Sequence, residues 1–286
     1  MSVIRAEGLE YTYHGSDHQA LKGLDFEVQP GEVFGFLGPS GAGKTTTQKI
    51  LTGLLDDYEG GATVLDRPVV EWGSDLYRHI GVSPETPTLY QKLTGRENLE
   101  LFGSLYGGHK RDPLELLDTV GIADAVDRRV GTYSKGMQMR LNFVRSLLHD
   151  PELVFLDEPT GGIDPSSARD VMSVIESLRD NGTTVFLTTH DMTVADRLCD
   201  RVAFIVNGAL PVVDTPRQLK IAHGQQRVRV EYREEGELLS QEFPLDDLGT
   251  NDAFQDLLAR NEVETIHSEE ATLADVFIEI TGETLQ

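Results

Sequence analysis

One octapeptide constrains this chain more than any other feature. Gly38-Pro39-Ser40-Gly41-Ala42-Gly43-Lys44-Thr45 fits the pattern G-x-x-x-x-G-K-[ST]. It follows an apolar run, Val33–Leu37, that predicts a strand, and it precedes a predicted helix from Thr46 to about Leu55. Strand, glycine loop and helix together make a phosphate cradle. The glycines let backbone N–H groups converge on phosphate oxygens without Cβ clashes. The helix N-terminus adds free donors and a favourable dipole. Lys44 is expected to reach the β- and γ-phosphates, and the Thr45 hydroxyl to ligate Mg²⁺. The motif alone specifies a nucleoside triphosphate. Kinases, GTPases and motor ATPases all use it.

A second run narrows the chemistry. Leu153–Leu156 is apolar throughout and ends in Asp157-Glu158. A buried strand that terminates in two acids is costly unless the charges have partners, and Mg²⁺ on a triphosphate beside Lys44 supplies one. Asp157 is then the metal carboxylate, and Glu158 polarises the attacking water. Further short apolar runs, Thr184–Thr188 and Val202–Val206, read as strands covered on both faces. Asp164-Pro165 opens a helix to about Asp180, and Asp191 caps another to about Cys199. Strand–helix alternation of this kind predicts an α/β sheet with parallel strands in its centre.

Two stretches break the alternation. Residues from about Glu85 to Asp150 are mostly helical in pattern and form a predicted insertion, with an amphipathic helix from Met137 to Leu148. From about Asp214 to Gln286 the composition turns more acidic, with 17 acidic and six basic residues. There Val228 and Val230 alternate with charges, and Asn251–Arg260 and Leu273–Ile280 read as helices. The expected organisation is a first domain over residues 1–213, carrying a helical subdomain at about 85–150, and a small α+β domain over 214–286.

The order and spacing of the motifs resemble the ATP-binding subunit of ABC transporters over about residues 3–213. Gly38–Thr46 is similar to that family's Walker A loop, and Leu156–Pro159 to Walker B. Tyr13, about 25 residues earlier, resembles the aromatic residue that stacks on adenine. Ser134-Lys135-Gly136-Met137-Gln138 sits at the signature motif, Gly162-Ile163-Asp164 at the D-loop, and Thr189-His190-Asp191 at the switch histidine. The resemblance implies a P-loop NTPase fold with ATP and Mg²⁺ as ligands. It also implies a homodimer or heterodimer in which Ser134 and Gly136, at a helix start suited to an anion, face the γ-phosphate of ATP held by the other subunit.

The resemblance has departures, and they point to a branch. The signature reads Tyr-Ser-Lys-Gly-Met in place of Leu-Ser-Gly-Gly-Gln. Glu85 stands where the family places a glutamine near Mg²⁺, and Gly162 where alanine is commoner. With Leu93–Leu99 and the tail Ala271–Phe277, these features are similar to ATPases serving ABC-2-type exporters of drugs, antibiotics or Na⁺. Met137–Arg145 is nearest to drug-export members, including fluoroquinolone exporters. The implied partner is an integral-membrane ABC-2-type permease, with the ATPase peripheral on the inner face of the membrane.

Composition agrees. No apolar run approaches 18 residues, so the chain is expected to have no membrane span of its own. The N-terminus lacks an apolar signal core, and a single Cys199 allows no intrachain disulfide, so a cytoplasmic location is expected. The net charge of −23 argues against direct binding to nucleic acid. Only seven of the 25 basic residues are Lys; an Asp- and Glu-rich surface with so few Lys suits high salt, where screening suppresses self-repulsion. A soluble ABC ATPase acting on nucleic acid, ribosomes or protein assembly is the competing reading. It fits less well: there is one Walker A motif, only 90 positions separate Lys44 from Ser134, and one cysteine leaves no Cys-based Zn site.

Overall fold

The structure is a computed structural model that describes residues 2–107, 110–223, 227–234, 236–269 and 271–283. The chain divides into two compact units, Met1–Thr215 and Pro216–Thr284.

In the first unit the elements follow as β1 (Ile4–Thr12), β2 (Gln19–Val28), β3 (Val33–Leu37), α1 (Lys44–Leu51), β4 (Glu59–Val64), β5 (Arg67–Pro68) and β6 (Ile80–Ser83). The helical insertion carries α2 (Gly95–Leu105), α3 (Pro113–Thr119) and α4 (Lys135–Leu147). Then come β7 (Leu153–Asp157), α5 (Pro165–Asp180), β8 (Thr184–Thr189), α6 (Met192–Leu198), β9 (Arg201–Val206) and β10 (Ala209–Asp214). Six strands form one sheet in the order β10-β9-β3-β8-β7-β6. Its strands are parallel except β10, which joins β9 as an antiparallel edge. The link between β9 and β10 is Asn207-Gly208, both left-handed at φ 50° and 79°. That is the geometry of a tight hairpin turn.

β3, β7 and β8 are buried along their whole length, and their sequences are correspondingly apolar nearly throughout. The register aligns Leu37 with Thr189, and Asp157 with Thr188. The carboxyl ends of three central strands therefore open at one edge, where open α/β sheets bind ligands. A second sheet, β2-β1-β4-β5, is antiparallel. Phe26 of β2 packs among Phe34, Phe36 and Phe186, with ring centroids 5.4–6.2 Å apart, and the shared core holds the two sheets together. The sequence reading does not contain this second sheet. It also runs the helix after the glycine loop too far. α1 stops at Leu51, because Gly53 turns left-handed (φ 70°) and Leu54 and Leu55 return their N–H groups to the carbonyl of Lys49.

In the second unit, α7 (Pro216–His223) is followed by β11 (Arg227–Glu234), β12 (Glu237–Pro244), α8 (Asp252–Arg260), β13 (Glu262–Glu269) and α9 (Leu273–Thr281). The strands form an antiparallel sheet in the order β12-β11-β13. Val228, Val230 and Phe243 are buried with Leu257 of α8, and the Phe243 and Phe254 rings meet edge-on at 5.2 Å. α9 starts with a capping box between Thr272 and Asp275 and ends at left-handed Gly282.

Candidate active site

The loop after β3 is shaped by two close approaches. A Cβ on Gly38 would lie 2.1 Å from the Ile205 carbonyl oxygen, so only glycine lets the loop run beside β9. Gly43 caps α1 at φ 117°, and a Cβ there would press on Leu21 and Ala20. The Gly208 N–H donates to the Ala42 carbonyl and ties the loop to the hairpin turn. The loop is thus fixed by packing before any ligand arrives.

Beside it lies a cavity of about 400 Å³, lined by Tyr13, Ser16, His18, Ala20, Ser40, Gly41, Gly43, Lys44, Thr45, Thr46, Glu85, Asp157, Glu158 and His190. Eleven of these positions are sequence-derived candidates; Ser16, His18 and Ala20 are not. Gly38, Pro39 and Ala42 shape the loop behind the cavity wall. Lys44 Nζ donates to the carbonyls of Gly38 (2.5 Å) and Pro39 (3.1 Å). Tyr13 follows β1, stands edge-on to Tyr11 at 4.9 Å, and shares a 3.0 Å hydrogen bond between its hydroxyl and Thr46 Oγ1.

Two acids at the end of β7 are anchored separately. Thr188 donates a short hydrogen bond to Asp157 Oδ1, and Thr45 Oγ1 donates to Asp157 Oδ2 at 3.4 Å. Glu158 is left-handed at φ 48°, an uncommon backbone for a non-glycine residue. Its carboxylate is nonetheless held by three groups. Oε2 accepts from Thr189 Oγ1 (2.9 Å); Oε1 accepts from the His190 N–H (2.9 Å) and pairs with His190 Nδ1 (2.7 Å). Thr188 and Thr189 end β8; the sequence reading places them in a strand and in the switch-histidine tripeptide but does not assign either to the site. Their signal is a pair of hydroxyls at the end of an otherwise apolar strand.

The electrostatics are lopsided. Glu85, Asp157 and Glu158 face one cation of the Lys or Arg type, Lys44. Burial pulls the Lys44 ammonium below the usual lysine range, while Glu158, Asp157 and Glu85 pull it back up. Burial lifts Asp157 above the usual carboxylate range, and the charges of Glu85 and Glu158 add to that against the hydrogen bond from Thr188. Such a wall is matched by a ligand that brings both anionic oxygens for Lys44 and a cation for the acids.

Three candidates lie elsewhere. Ser134 is exposed and caps α4, accepting from the Met137 N–H at 3.2 Å. Gly136 packs against Ile163, where a Cβ would lie 3.2 Å from Ile163 Cγ2. Asp164 caps α5, accepting from the N–H groups of Ser166 and Ser167. None of the three lines the cavity. Among the described residues, no helix is long and apolar enough to cross a membrane.

Comparison with known proteins places this geometry. A family model described as "ABC transporter" matches residues 21–161, and one described as "Fluoroquinolone efflux ABC transporter C-terminal domain" matches residues 226–270. The chain is 56% identical over 284 residues to a fluoroquinolones export ATP-binding protein of Mycobacterium tuberculosis, covering 99% of this chain and 94% of that protein. It is 40% identical over 232 residues to a daunorubicin/doxorubicin resistance ATP-binding protein of Streptomyces peucetius, covering 80% and 70%. Among solved structures, an ATP-binding subunit of an ABC transporter superposes with TM-score 0.70 at 26% identity, over 77% of this chain and 93% of that one. A bacterial ABC transporter cassette solved as a dimer superposes with TM-score 0.68 at 27% identity, over 74% and 98%.

Proposed function

The chain belongs to the family of ABC transporter ATP-binding subunits and is an ATPase of that family, and on that premise we propose that it energises an ABC-2-type membrane complex that exports drug-like molecules. The relatives named for fluoroquinolone export and daunorubicin resistance support this reading over a cassette serving nucleic acid or ribosomes. Its place is then the inner face of the cell membrane, attached through the permease.

The observation that carries the catalytic reading is the Glu158–His190 pair lining the same cavity as Lys44. Lys44 binds the β- and γ-phosphates of ATP, exchanging its two loop carbonyls for phosphate oxygens. Gly41, Gly43, Ser40 and the first turn of α1 donate to the same phosphates. Tyr13 carries the adenine. Glu158 orients the attacking water and takes its proton, and His190 holds the carboxylate in place through Nδ1 and the main-chain N–H. A magnesium ion fits the donor set. The Thr45 hydroxyl and Asp157 carboxylate face each other at 3.4 Å, with Glu85 on the same cavity wall. Among the described residues there is no cluster of three or more His, Cys, Asp or Glu side chains of the kind an all-protein metal cage needs. Mg²⁺ on phosphate typically uses only one or two carboxylates. Thr45 and Asp157, with Glu85 nearby, would hold the ion, which would supply neutralisation of the phosphate charge.

Ser134, Gly136 and Asp164 act between two copies. The α4 N-terminus of one subunit meets the γ-phosphate of ATP on the other, so ATP closes a head-to-tail dimer and hydrolysis reopens it. The helical arm from about Glu85 to Leu105 carries the motion to the permease. Glu158→Gln is expected to bind ATP, to lose at least roughly a hundredfold in turnover, and to sediment as an ATP-dependent dimer. Turnover at the unmodified rate would refute the role of Glu158. Purifying the tagged chain from membranes and identifying a bound subunit of about six membrane-spanning helices tests the export partner.

A further inference from the structure

One face of α4 is strapped to the loop that carries Glu85. Gln138, Asn142 and Arg145 stand at i, i+4 and i+7, and so share a helix face. Each reaches residues 83–91. Gln91 Nε2 donates to Gln138 Oε1 at 3.3 Å, and Arg145 Nη1 donates to the Thr88 carbonyl at 2.9 Å. Between them Asn142 Nδ2 donates to both Ser83 Oγ and the Pro84 carbonyl at 3.0 Å. A carbonyl only accepts, so it must be the amide nitrogen that faces Pro84. Asn142 is fully buried and Ser83 nearly so, whereas the next residue but one, Glu85, is exposed on the cavity wall.

Asn142 is a poor choice for stability alone. Its Oδ1 is buried without a hydrogen-bond partner, a cost set against the two hydrogen bonds its Nδ2 makes. What the amide does achieve is mechanical. It holds the main chain immediately before Glu85 to a helix whose first turn, two turns away, begins at Ser134.

We propose that Asn142 is a positioning residue for ATP hydrolysis: it locks the Glu85 loop to α4, so that the acid at the nucleotide cavity and the Ser134 end of the helix move together. The inference rests on the reading of Glu85 as part of the ATP site.

The test uses the full-length chain and measures kcat, KM for ATP and the Mg²⁺ concentration at half-maximal rate. Asn142→Leu fills the volume without the amide. It is expected to fold and melt cooperatively within a few degrees of the parent, since removing the unsatisfied Oδ1 offsets part of the loss of two hydrogen bonds, to lower kcat about five- to twentyfold with KM within about twofold, and to raise the Mg²⁺ requirement severalfold. Ser83→Ala, which removes one acceptor, shifts the same quantities less. Glu85→Ala lowers kcat, and adding Asn142→Leu to it lowers kcat no further, because groups acting through one another are non-additive. A parental kcat and Mg²⁺ dependence in Asn142→Leu, losses that multiply in the double variant, or a Glu85→Ala protein with parental turnover would each overturn the proposal. Its failure is distinct from failure of the catalytic reading. If Glu158→Gln is inactive and Glu85→Ala impaired while Asn142→Leu is unaffected, only the role of Asn142 falls.

Discussion

Asp157 shows what the site costs the fold. Its carboxylate is buried at the end of β7, and burial raises its pKa. A group whose pKa is raised in the folded state stabilises the fold fully only below its unfolded pKa, and that contribution is lost as pH rises through the folded value. At neutral pH the ionised Asp157 therefore works against folding until a ligand supplies a cation. Asp157→Asn keeps the acceptor for Thr188 and removes the charge. It is expected to melt higher than the parent at pH 7, to lose that advantage at acid pH, and to hydrolyse ATP poorly. Thermal melting across pH with parallel ATPase assays checks this, and an Asn variant that melts lower than the parent at pH 7 would contradict it. At this scale the octapeptide and Asp157-Glu158 were legible because their chemistry is tied to a few residue types at rigid spacing. Ser16 and His18 were not, because their place on the cavity wall follows from where the β1–β2 connection lies, and no spacing rule encodes that. Thr188 ends the predicted strand and Thr189 opens the switch-histidine tripeptide, yet their carboxylate partners are 31 residues away in sequence.

Among the elements, the parallel strands and the capped helices were readable. β3, β7 and β8 are buried along their whole length and advertise it as short runs that are apolar nearly throughout. α5 and α6 begin at Asp164 and Asp191, each of which accepts two main-chain hydrogen bonds. The antiparallel sheet was not readable. β1 has register shifts around left-handed Gly8, which breaks its alternation, and β4 is a short strand with two adjacent glycines. β12 has one buried residue, Phe243, so period-2 patterning is absent. The element on which the proposed mechanism turns is α4. Ser134 both caps it and, in the proposed dimer, meets ATP on the other copy. Ser134→Ala is expected to cost about 1 kcal/mol of stability through the lost cap, to leave ATP affinity of a single copy unchanged, and to abolish ATP-dependent dimerisation in a Glu158→Gln background. Melting, nucleotide titration and sedimentation separate the three effects. Retained dimerisation would show that Ser134 is a cap alone.

At the scale of the whole molecule the dominant quantity is charge. The chain carries −23 at pH 7, of which −11 falls in the last 73 residues. Repulsion of this size opposes the compact state, and it is screened over about 10 Å at 0.1 M salt but over about 3 Å at 1 M. The melting temperature is expected to rise by several degrees when KCl is raised from about 0.1 M to about 1 M. A flat or falling curve would show that the acidic surface is not suited to high salt. Dimerisation must work against the same repulsion. In the proposed dimer two copies complete each other's nucleotide sites, and a structure of Glu158→Gln with trapped ATP and Mg²⁺ decides whether they do. Ser134 Oγ of one copy is predicted to lie within hydrogen-bond distance of the terminal phosphate held by Lys44 of the other. Ser134 facing solvent, far from any partner's nucleotide, would contradict it.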